Sequence, residues 1–144
     1  MQIVIKRVNA LNPEMALALA KLQKTCLPQD TPYDVSEGWW WIGYYNGTPV
    51  AFAGLVKSSQ WHGTGYLCRA GVLRVCQGKG IQKRLIKLRM RFAKKQGFTH
   101  VVTDTRDNPA SANSLISCGM KMYDPRSPWA YKESCYWIKR LNAV

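Results

Sequence analysis

The chain has 144 residues, 47% of them hydrophobic and 20% charged, and carries a formal net charge of +13. This fits a single globular domain spanning residues 1–144 with room for a real core, and argues against a disordered chain. The longest apolar run falls far short of the about 18 residues a membrane span needs, and the start MQIVIKRVN lacks the apolar core of a signal peptide, so neither a membrane partner nor export is expected.

Ile3-Val4-Ile5 with polar neighbours reads as a first strand. Pro13 to Leu27 reads as a helix, with Asn12 as N-cap, Pro13 at its first position and Leu17, Leu19, Leu22 and Leu27 as apolar contacts. Pro28 ends it, and a polar stretch from Gln29 to Gly38 leaves room for a short helix. Trp40–Tyr45, Asn46-Gly47 and Val50–Val56 form a hairpin pattern, since Asn-Gly suits the positive φ of a tight turn. A further strand is expected from about Tyr66 to Leu73, with Gly71 marking a bulge or a close backbone approach.

Ile81 to Gln96 reads as an amphipathic helix. Ile81, Leu85, Leu88 and Phe92 share one face, Lys83, Lys87, Arg91 and Lys94 line another, and Gly97 stops it. Val101–Thr105 is a buried strand. Asn108-Pro109 opens another helix running to about Cys118, stopped by Gly119. A strand near Lys121 and a last strand from Ser134 to Lys139 complete a β-α-(α)-β-β-β-α-β-α-β-β order, which is an α/β or α+β domain with a mixed sheet.

The five cysteines, Cys26, Cys68, Cys76, Cys118 and Cys135, are odd in number, widely spaced and lack a C-x-x-C pair. They read as reduced, mostly buried thiols in a cytoplasmic protein, with neither a disulfide framework nor a metal site. From Gly38 to Thr103 there is no Asp or Glu, while Lys57, Arg69, Arg74, Lys79, Lys83, Arg84, Lys87, Arg89, Arg91, Lys94 and Lys95 fall there. A field of one sign attracts a phosphorylated cofactor or a nucleic acid, and otherwise serves as a solvated, solubilising face.

The stretch Gln77-Gly78-Lys79-Gly80-Ile81-Gln82 joins a strand to the basic helix. It gathers free backbone N–H groups, a helix dipole and cations at one point, which is a place for a phosphate. It lacks the G-x-x-x-x-G-K-[ST] of a P-loop and the G-x-G-x-x-G of a dinucleotide fold. It resembles motif A of the GNAT superfamily of acyl-CoA-dependent N-acyltransferases, Arg/Gln-x-x-Gly-x-Gly/Ala, with Gln77 and Gly80 on its first two fixed positions and Gln82 departing from the third. The run Val101–Thr105, Asn108, Ser111 and Gly119-Met120 resembles the family's strand five and helix four, and the Trp40–Val56 hairpin its strands two and three.

That resemblance implies a mostly antiparallel sheet of about six to seven strands, strands four and five splayed apart, and about four flanking helices. It implies acetyl-CoA as cofactor. The pyrophosphate would lie on the backbone of Gly78 to Lys83, with Lys79, Lys83 and Arg84 adding charge. Pantetheine would run between Ala70-Gly71-Val72 and Asn108, with Ser111 or Asn113 near the adenosine end. Asn108 is equally suited to be the N-cap of its own helix.

The reaction implied is direct attack of a primary amine on the thioester. The amine must lose a proton, yet the family's usual Glu place in strand five is Thr103, and strand alternation turns the adjacent Asp104 to the other face. Glu37, Asp34 and His62, on predicted loops, or a water held by backbone carbonyls, are the remaining bases, with Glu37 preferred. The family's usual tyrosine acid corresponds to Leu115, so Tyr123 is the first choice of general acid, ahead of Ser114 and Cys118. Trp39, Trp61 and Trp129, near predicted loop ends, are candidates to line an acceptor cleft.

Three readings follow from the implied chemistry. One is acetyl transfer to a small primary amine by a monomer or homodimer. Another is transfer to an amine carried on a polyanion, such as an aminoacyl-tRNA or a nucleic-acid-bound protein, recruited by the basic helix 81–96. The third is a catalytically weak binding module that retains the fold.

Overall fold

The computed structural model describes residues 2–141. Eight strands and three α-helices alternate as β1 (Val4–Val8), α1 (Pro13–Cys26), β2 (Trp39–Tyr45), β3 (Thr48–Lys57), β4 (Thr64–Tyr66), β5 (Ala70–Val72), α2 (Ile81–Lys95), β6 (His100–Thr105), α3 (Pro109–Ser117), β7 (Lys121–Tyr123) and β8 (Cys135–Arg140). The strands form one sheet in the order β1-β2-β3-β4-β6-β8-β7, with β5 also paired to β3. Neighbours are antiparallel except β4 and β6, which are parallel. No helix among the described residues is long and apolar enough to cross a membrane.

Local chemistry explains most of the elements. The Asn12 Oδ1 accepts from the Glu14 and Met15 amides at 2.9 and 3.4 Å, which starts α1. Asn46 and Gly47 take φ of 49° and 78°, as the tight turn between β2 and β3 requires. Alternation along β2 and β3 then divides the core between the two faces of the sheet. Trp40, Ile42 and Phe52 pack with Leu19 and Leu22 of α1. Trp41, Ala51, Ala53 and Leu55 join a larger cluster with Leu85 and Ile86 of α2 and Leu115 of α3.

Four sequence expectations need correction. Leu17 is 57% exposed, so α1 buries Leu19, Leu22 and Gln23 instead. The stretch after Pro28 forms turns rather than a short helix. Its backbone is tied down by Gln23, whose amide side chain both accepts from the Tyr33 N–H at 2.7 Å and donates to its carbonyl at 3.3 Å. That leaves three α-helices where about four were expected. The single strand expected from Tyr66 to Leu73 is two strands, β4 and β5, which raises the strand count from six or seven to eight.

The break between β4 and β5 is a one-residue bulge. Val56 pairs with Tyr66 and Ala53 with Ala70, so the three residues Leu67–Arg69 lie opposite the two residues Gly54–Leu55. The Leu67 amide donates to the Val102 carbonyl on β6 at 3.0 Å, whereas the Cys68 amide turns to the Gly54 carbonyl on β3 at 3.3 Å. Beyond that point β5 follows β3 alone and parts from β6, which is the splay the resemblance implies. Gly71 is a site of close approach and not the bulge. A Cβ there would lie 2.5 Å from the Cys26 Cβ and 2.9 Å from the Phe52 ring.

Candidate active site

The glycine loop opens with a 3-10 turn at Arg74–Cys76, after which the Gln77 Nε2 donates back to the Val72 carbonyl at 3.1 Å. Gly78 and Gly80 have φ of +77° and +76°, and no atom lies within 4 Å of a Cβ built on either. A side chain would therefore meet a backbone conformation that resists it and would project into the space the loop leaves open. Gly80 is the N-cap of α2 and offers no side-chain cap. The first amides of α2 accordingly keep their hydrogens free, at the positive end of the helix dipole.

A cavity of about 490 Å³ lies against this loop. Ala70, Gly71 and Val72 form one wall, Gln77, Gly78, Gly80, Ile81, Gln82 and Lys83 its floor, and Asn108 and Ser111 the opposite wall. Lys79 and Asn113 are exposed and outside the lining, although Lys79 sits between two lining glycines. Gln82, which departs from the family pattern, donates from Nε2 to the Ser111 Oγ at 3.1 Å and so bridges α2 to α3. The Asn108 Oδ1 accepts from the Ser111 amide at 3.1 Å, which is its capping role. That bond leaves the Asn108 side-chain N–H groups unused by the cap.

The cavity continues into the opening between β5 and β6. A second space of about 310 Å³ is bordered there by Ala70, Gln82, Asn108 and Ser111, shared with the first, and by Leu67, Arg69, Arg89, Thr103, Asp104 and Leu115. The third, about 550 Å³, shares Arg69, Asp104 and Tyr131 with the second and adds Tyr33, Glu37, Tyr66 and Trp129. One path of shared walls thus runs from the glycine loop, through the splay, to an aromatic chamber on the far side.

Asp104 stands at the junction of the second and third spaces. Strand alternation does set it opposite Thr103, whose Oγ1 donates to the Leu67 carbonyl at 2.7 Å inside the core. Both faces of β6 border the rim of the splay, so Thr103 and Asp104 line the same central space. Burial pushes the Asp104 carboxyl up from its ordinary value, against the hydrogen bond from Tyr66 and the charge of Arg69, which pull it down. Its Oδ1 accepts from the Tyr66 hydroxyl at 3.1 Å. Burial, with the neighbouring Asp104, pushes the Tyr66 phenol well above its ordinary value.

Arg89 is 3% exposed and lies in the wall of the central space. Its Nε donates to the Leu85 carbonyl at 3.2 Å and its Nη1 to the Gly54 carbonyl at 2.9 Å. Desolvation lowers its pKa to about 10, which still leaves it protonated at neutral pH. Leu115, where the family places a tyrosine, borders the same space.

The other sequence candidates divide between this path and places off it. Glu37 lines the aromatic chamber, and its carbonyl accepts from the Trp40 indole at 2.8 Å. Tyr123 lies in an adjoining cavity of about 520 Å³, which shares Gln60 and Trp129 with the chamber, and it stacks on Trp61 at 5.9 Å. Its hydroxyl accepts from the Trp129 indole at 3.3 Å. Asp34 caps its own turn through Ser36, whose hydrogen bonds lower the carboxyl's pKa. Asp34 and His62 are both exposed and off the path. Ser114 lines the glycine-loop cavity, and the Cys118 thiol points instead to the Lys83 carbonyl. Of the three tryptophans, only Trp129 lines the chamber, while Trp39 packs edge-on against Phe92 and Phe98. Tyr66, Arg69 and Arg89 carry no spacing signal that sets them apart in the sequence.

A family model described as the acetyltransferase (GNAT) family matches residues 14–120. No curated protein is similar enough in sequence to count as a match. Among solved structures, an acetyltransferase from Bacillus subtilis in complex with CoA has a TM-score of 0.77 and 16% identity, covering 98% of this chain and 100% of that one. The ribosomal-protein-S18-alanine N-acetyltransferase from Escherichia coli has a TM-score of 0.76 and 13% identity, covering 99% of this chain and 96% of that one. An IAA acetyltransferase from Bacillus cereus has a TM-score of 0.75 and 16% identity, covering 97% and 100%. At such identities the likeness is one of fold.

Proposed function

The chain belongs to the GNAT acetyltransferase family, and on that premise we propose that it is an N-acetyltransferase that moves an acetyl group from acetyl-CoA to a primary amine by direct attack. The observation that carries this reading is the path of shared walls from the glycine loop to Asp104. The free amides of Gly78 to Lys83, with Lys79, Lys83 and Arg84, suit the pyrophosphate. Pantetheine would pass between Ala70-Gly71-Val72 and Asn108, with Ser111 or Asn113 toward the adenosine. The edge of β5 that has left β6 offers backbone N–H groups to the thioester oxygen, where negative charge develops.

In this reading Asp104 is the general base. It borders both the chamber where an amine would enter and the space where the thioester would lie, and its raised pKa makes its carboxylate a stronger base than an exposed one. The amine nitrogen bonds to the acetyl carbon, its proton passes to Asp104, and the carbon–sulfur bond breaks to release the thiolate. The cation of Arg89 in the same wall offsets that negative charge, so no tyrosine is needed at Leu115. Glu37, at the chamber's edge, draws in the protonated amine before it gives up its proton. Tyr123, one cavity beyond the chamber, orients the Trp129 wall by accepting its indole N–H. The five unpaired thiols agree with a cytoplasmic setting.

Calorimetric titration with acetyl-CoA, beside a thiol-release assay over a panel of amines, tests the reading. The wild type is expected to bind acetyl-CoA and release thiol when an accepted amine is present. Gly80→Asp places a side chain at φ +76° and a negative charge at the helix N-terminus, and is expected to weaken binding by on the order of 10–100-fold. Equal binding by the variant would refute the loop's role, and absence of binding by the wild type would refute the whole reading.

A second reading concerns what carries the amine. Lys83, Lys87, Arg91 and Lys94 are exposed along one face of α2, in a stretch of chain without acids. Such a face suits a polyanion-borne amine, including one on an aminoacyl-tRNA. Turnover with that acceptor would then fall steeply with salt, whereas turnover of a small amine would not.

A further inference from the structure

Arg69 occupies the last position of the bulge between β4 and β5 and borders both the central space and the aromatic chamber. A bulge re-aims the side chains it carries, and here it delivers a guanidinium to the junction where Asp104 also stands. The Nη1 of Arg69 donates to the Cys68 carbonyl at 3.1 Å, and the group lies over the Tyr33 ring at 5.4 Å. Its Nε is buried out of reach of solvent and ligand alike, whereas its Nη2 is not buried and, among the described residues, makes no hydrogen bond, so Nη2 is the donor left open to a ligand. Asp104 feels the charge of Arg69 through space, yet accepts its hydrogen bonds from the Tyr66 and Ser134 side chains. A guanidinium whose outer nitrogen faces a cavity without a protein partner suits a carboxylate, which it meets through charge-assisted hydrogen bonds.

The rest of the chamber narrows the ligand. Its volume, about 550 Å³, suits a small molecule. Tyr33, Tyr66, Trp129 and Tyr131 give it aromatic surface that accepts an apolar or aromatic body, while Lys57, Ser58, Ser59 and Gln60 make the rest of its lining polar. An amine acted on by Asp104 and an anion held by Arg69 would meet at one junction, which matches a molecule carrying both groups on one carbon atom.

Building on the transferase reading above, we propose that the acceptor is a free α-amino acid with an apolar or aromatic side chain, whose carboxylate is held by Arg69 while its amine faces Asp104. Arg69 is then the residue that separates a free amino acid from an ester, an amide or a simple amine. An aminoacyl-tRNA presents an ester and leaves Arg69 without its partner, so this inference and the polyanion reading exclude one another at this residue.

The test compares L-phenylalanine and L-leucine with phenylalaninamide, phenylalanine methyl ester and phenethylamine, in wild type, Arg69→Lys and Arg69→Gln, by thiol release from acetyl-CoA. The free acids are expected to exceed the other three compounds by on the order of 10²-fold in kcat/KM. Arg69→Gln is expected to lose most of that preference through KM, cutting the acids by on the order of 10²-fold and phenethylamine by less than a tenth as much. Arg69→Lys keeps the charge without the fork, and falls between. A preference for ester or amide, or an equal loss for every compound in Arg69→Gln, would overturn the proposal.

Direct titration of L-phenylalanine and phenethylamine into the CoA-saturated and CoA-free protein reads the same contrast without turnover. Failure to bind acetyl-CoA would refute the transferase reading, while phenylalanine binding lost in Arg69→Gln would still support the carboxylate site. Failure to bind phenylalanine, with acetyl-CoA bound normally, would refute the carboxylate site alone.

Discussion

The two ends of the path are built by different rules. The phosphate end is continuous chain, Val72 to Lys83, in which the strand, two glycines at positive φ and a helix N-terminus follow one another. The acceptor end is assembled from Tyr33, Glu37, Tyr66, Arg69, Asp104 and Trp129, which are far apart in the chain and meet where β3, β4 and β6 pair and the loops after α1 and β7 fold against them. The first uses backbone groups and tolerates side-chain change outside its glycines. The second uses individual side chains, and single substitutions there should fall unevenly on binding and chemistry. That contrast is what mutation can break.

The largest effect is expected at Asp104. Asp104→Asn keeps the shape and the hydrogen bond with Tyr66 but removes the base, so kcat/KM should drop by about 10²–10⁴-fold with acetyl-CoA affinity retained. In the wild type, kcat/KM should rise with pH as the carboxyl ionises, with its midpoint above the ordinary carboxylate range, since burial raises that pKa. Tyr66→Phe removes a hydrogen bond that lowers it, and should move the midpoint higher still. The stability effect has the opposite sign. A carboxyl whose folded pKa is raised binds protons more tightly when folded, so stability falls as pH climbs from the unfolded to the folded value. Asp104→Asn should abolish that loss and raise the melting temperature at neutral pH. An inactive variant that is also less stable at neutral pH would mean that Asp104 supports the fold, and would cancel its assignment as base.

The same contrast explains what could be read before the structure. Glycine at positive φ, asparagine as an N-cap and apolar residues at helical spacing act on their immediate neighbours, so Gly80, Asn12, Asn108 and the face of Ile81 and Leu85 were legible from local pattern. Asp104 was legible as a face but not as a place. Alternation sets it opposite Thr103, yet only the bulge at Leu67–Arg69 decides that both faces of β6 border an opening. Arg69 and Arg89 looked alike in an acid-free run, although one lies at a cavity junction and the other is 3% exposed in the core. The turns after Pro28 escaped prediction because Gln23, a polar residue in α1, spends its side chain on the Tyr33 backbone.

A smaller effect is expected at Arg89, and it sharpens the comparison by asking whether a core cation serves the fold or the central space. Arg89→Met has a similar volume and removes the cost of burying a charge, so stability should change little or rise. The Gly54 carbonyl keeps its bond from the Cys68 amide. Turnover should fall by roughly tenfold as the leaving thiolate loses its neighbouring cation. The deficit should shrink with an acyl donor whose thiol is more acidic, and Arg89→Met with Leu115→Tyr should recover part of it. A variant that unfolds, beside an unchanged rate in Arg89→Lys, would mark the residue as purely structural.

The smallest effect is expected at Asn108, where two roles share one side chain. The oxygen caps α3 through the Ser111 amide, and the amide hydrogens are left for the cavity. Asn108→Ala removes both and should cost about 1 kcal/mol of stability, together with a rise of a few-fold in KM for acetyl-CoA. Asn108→Asp keeps a capping oxygen and adds charge at a helix N-terminus, so its stability should match or exceed the wild type. Its KM should nevertheless rise as in the Ala variant, because a carboxylate donates no hydrogen bond. Thermal melts beside KM for acetyl-CoA separate the two. If Asn108→Asp preserves both quantities, the side chain is a cap alone, and the wall opposite Ala70–Val72 holds pantetheine by shape without it.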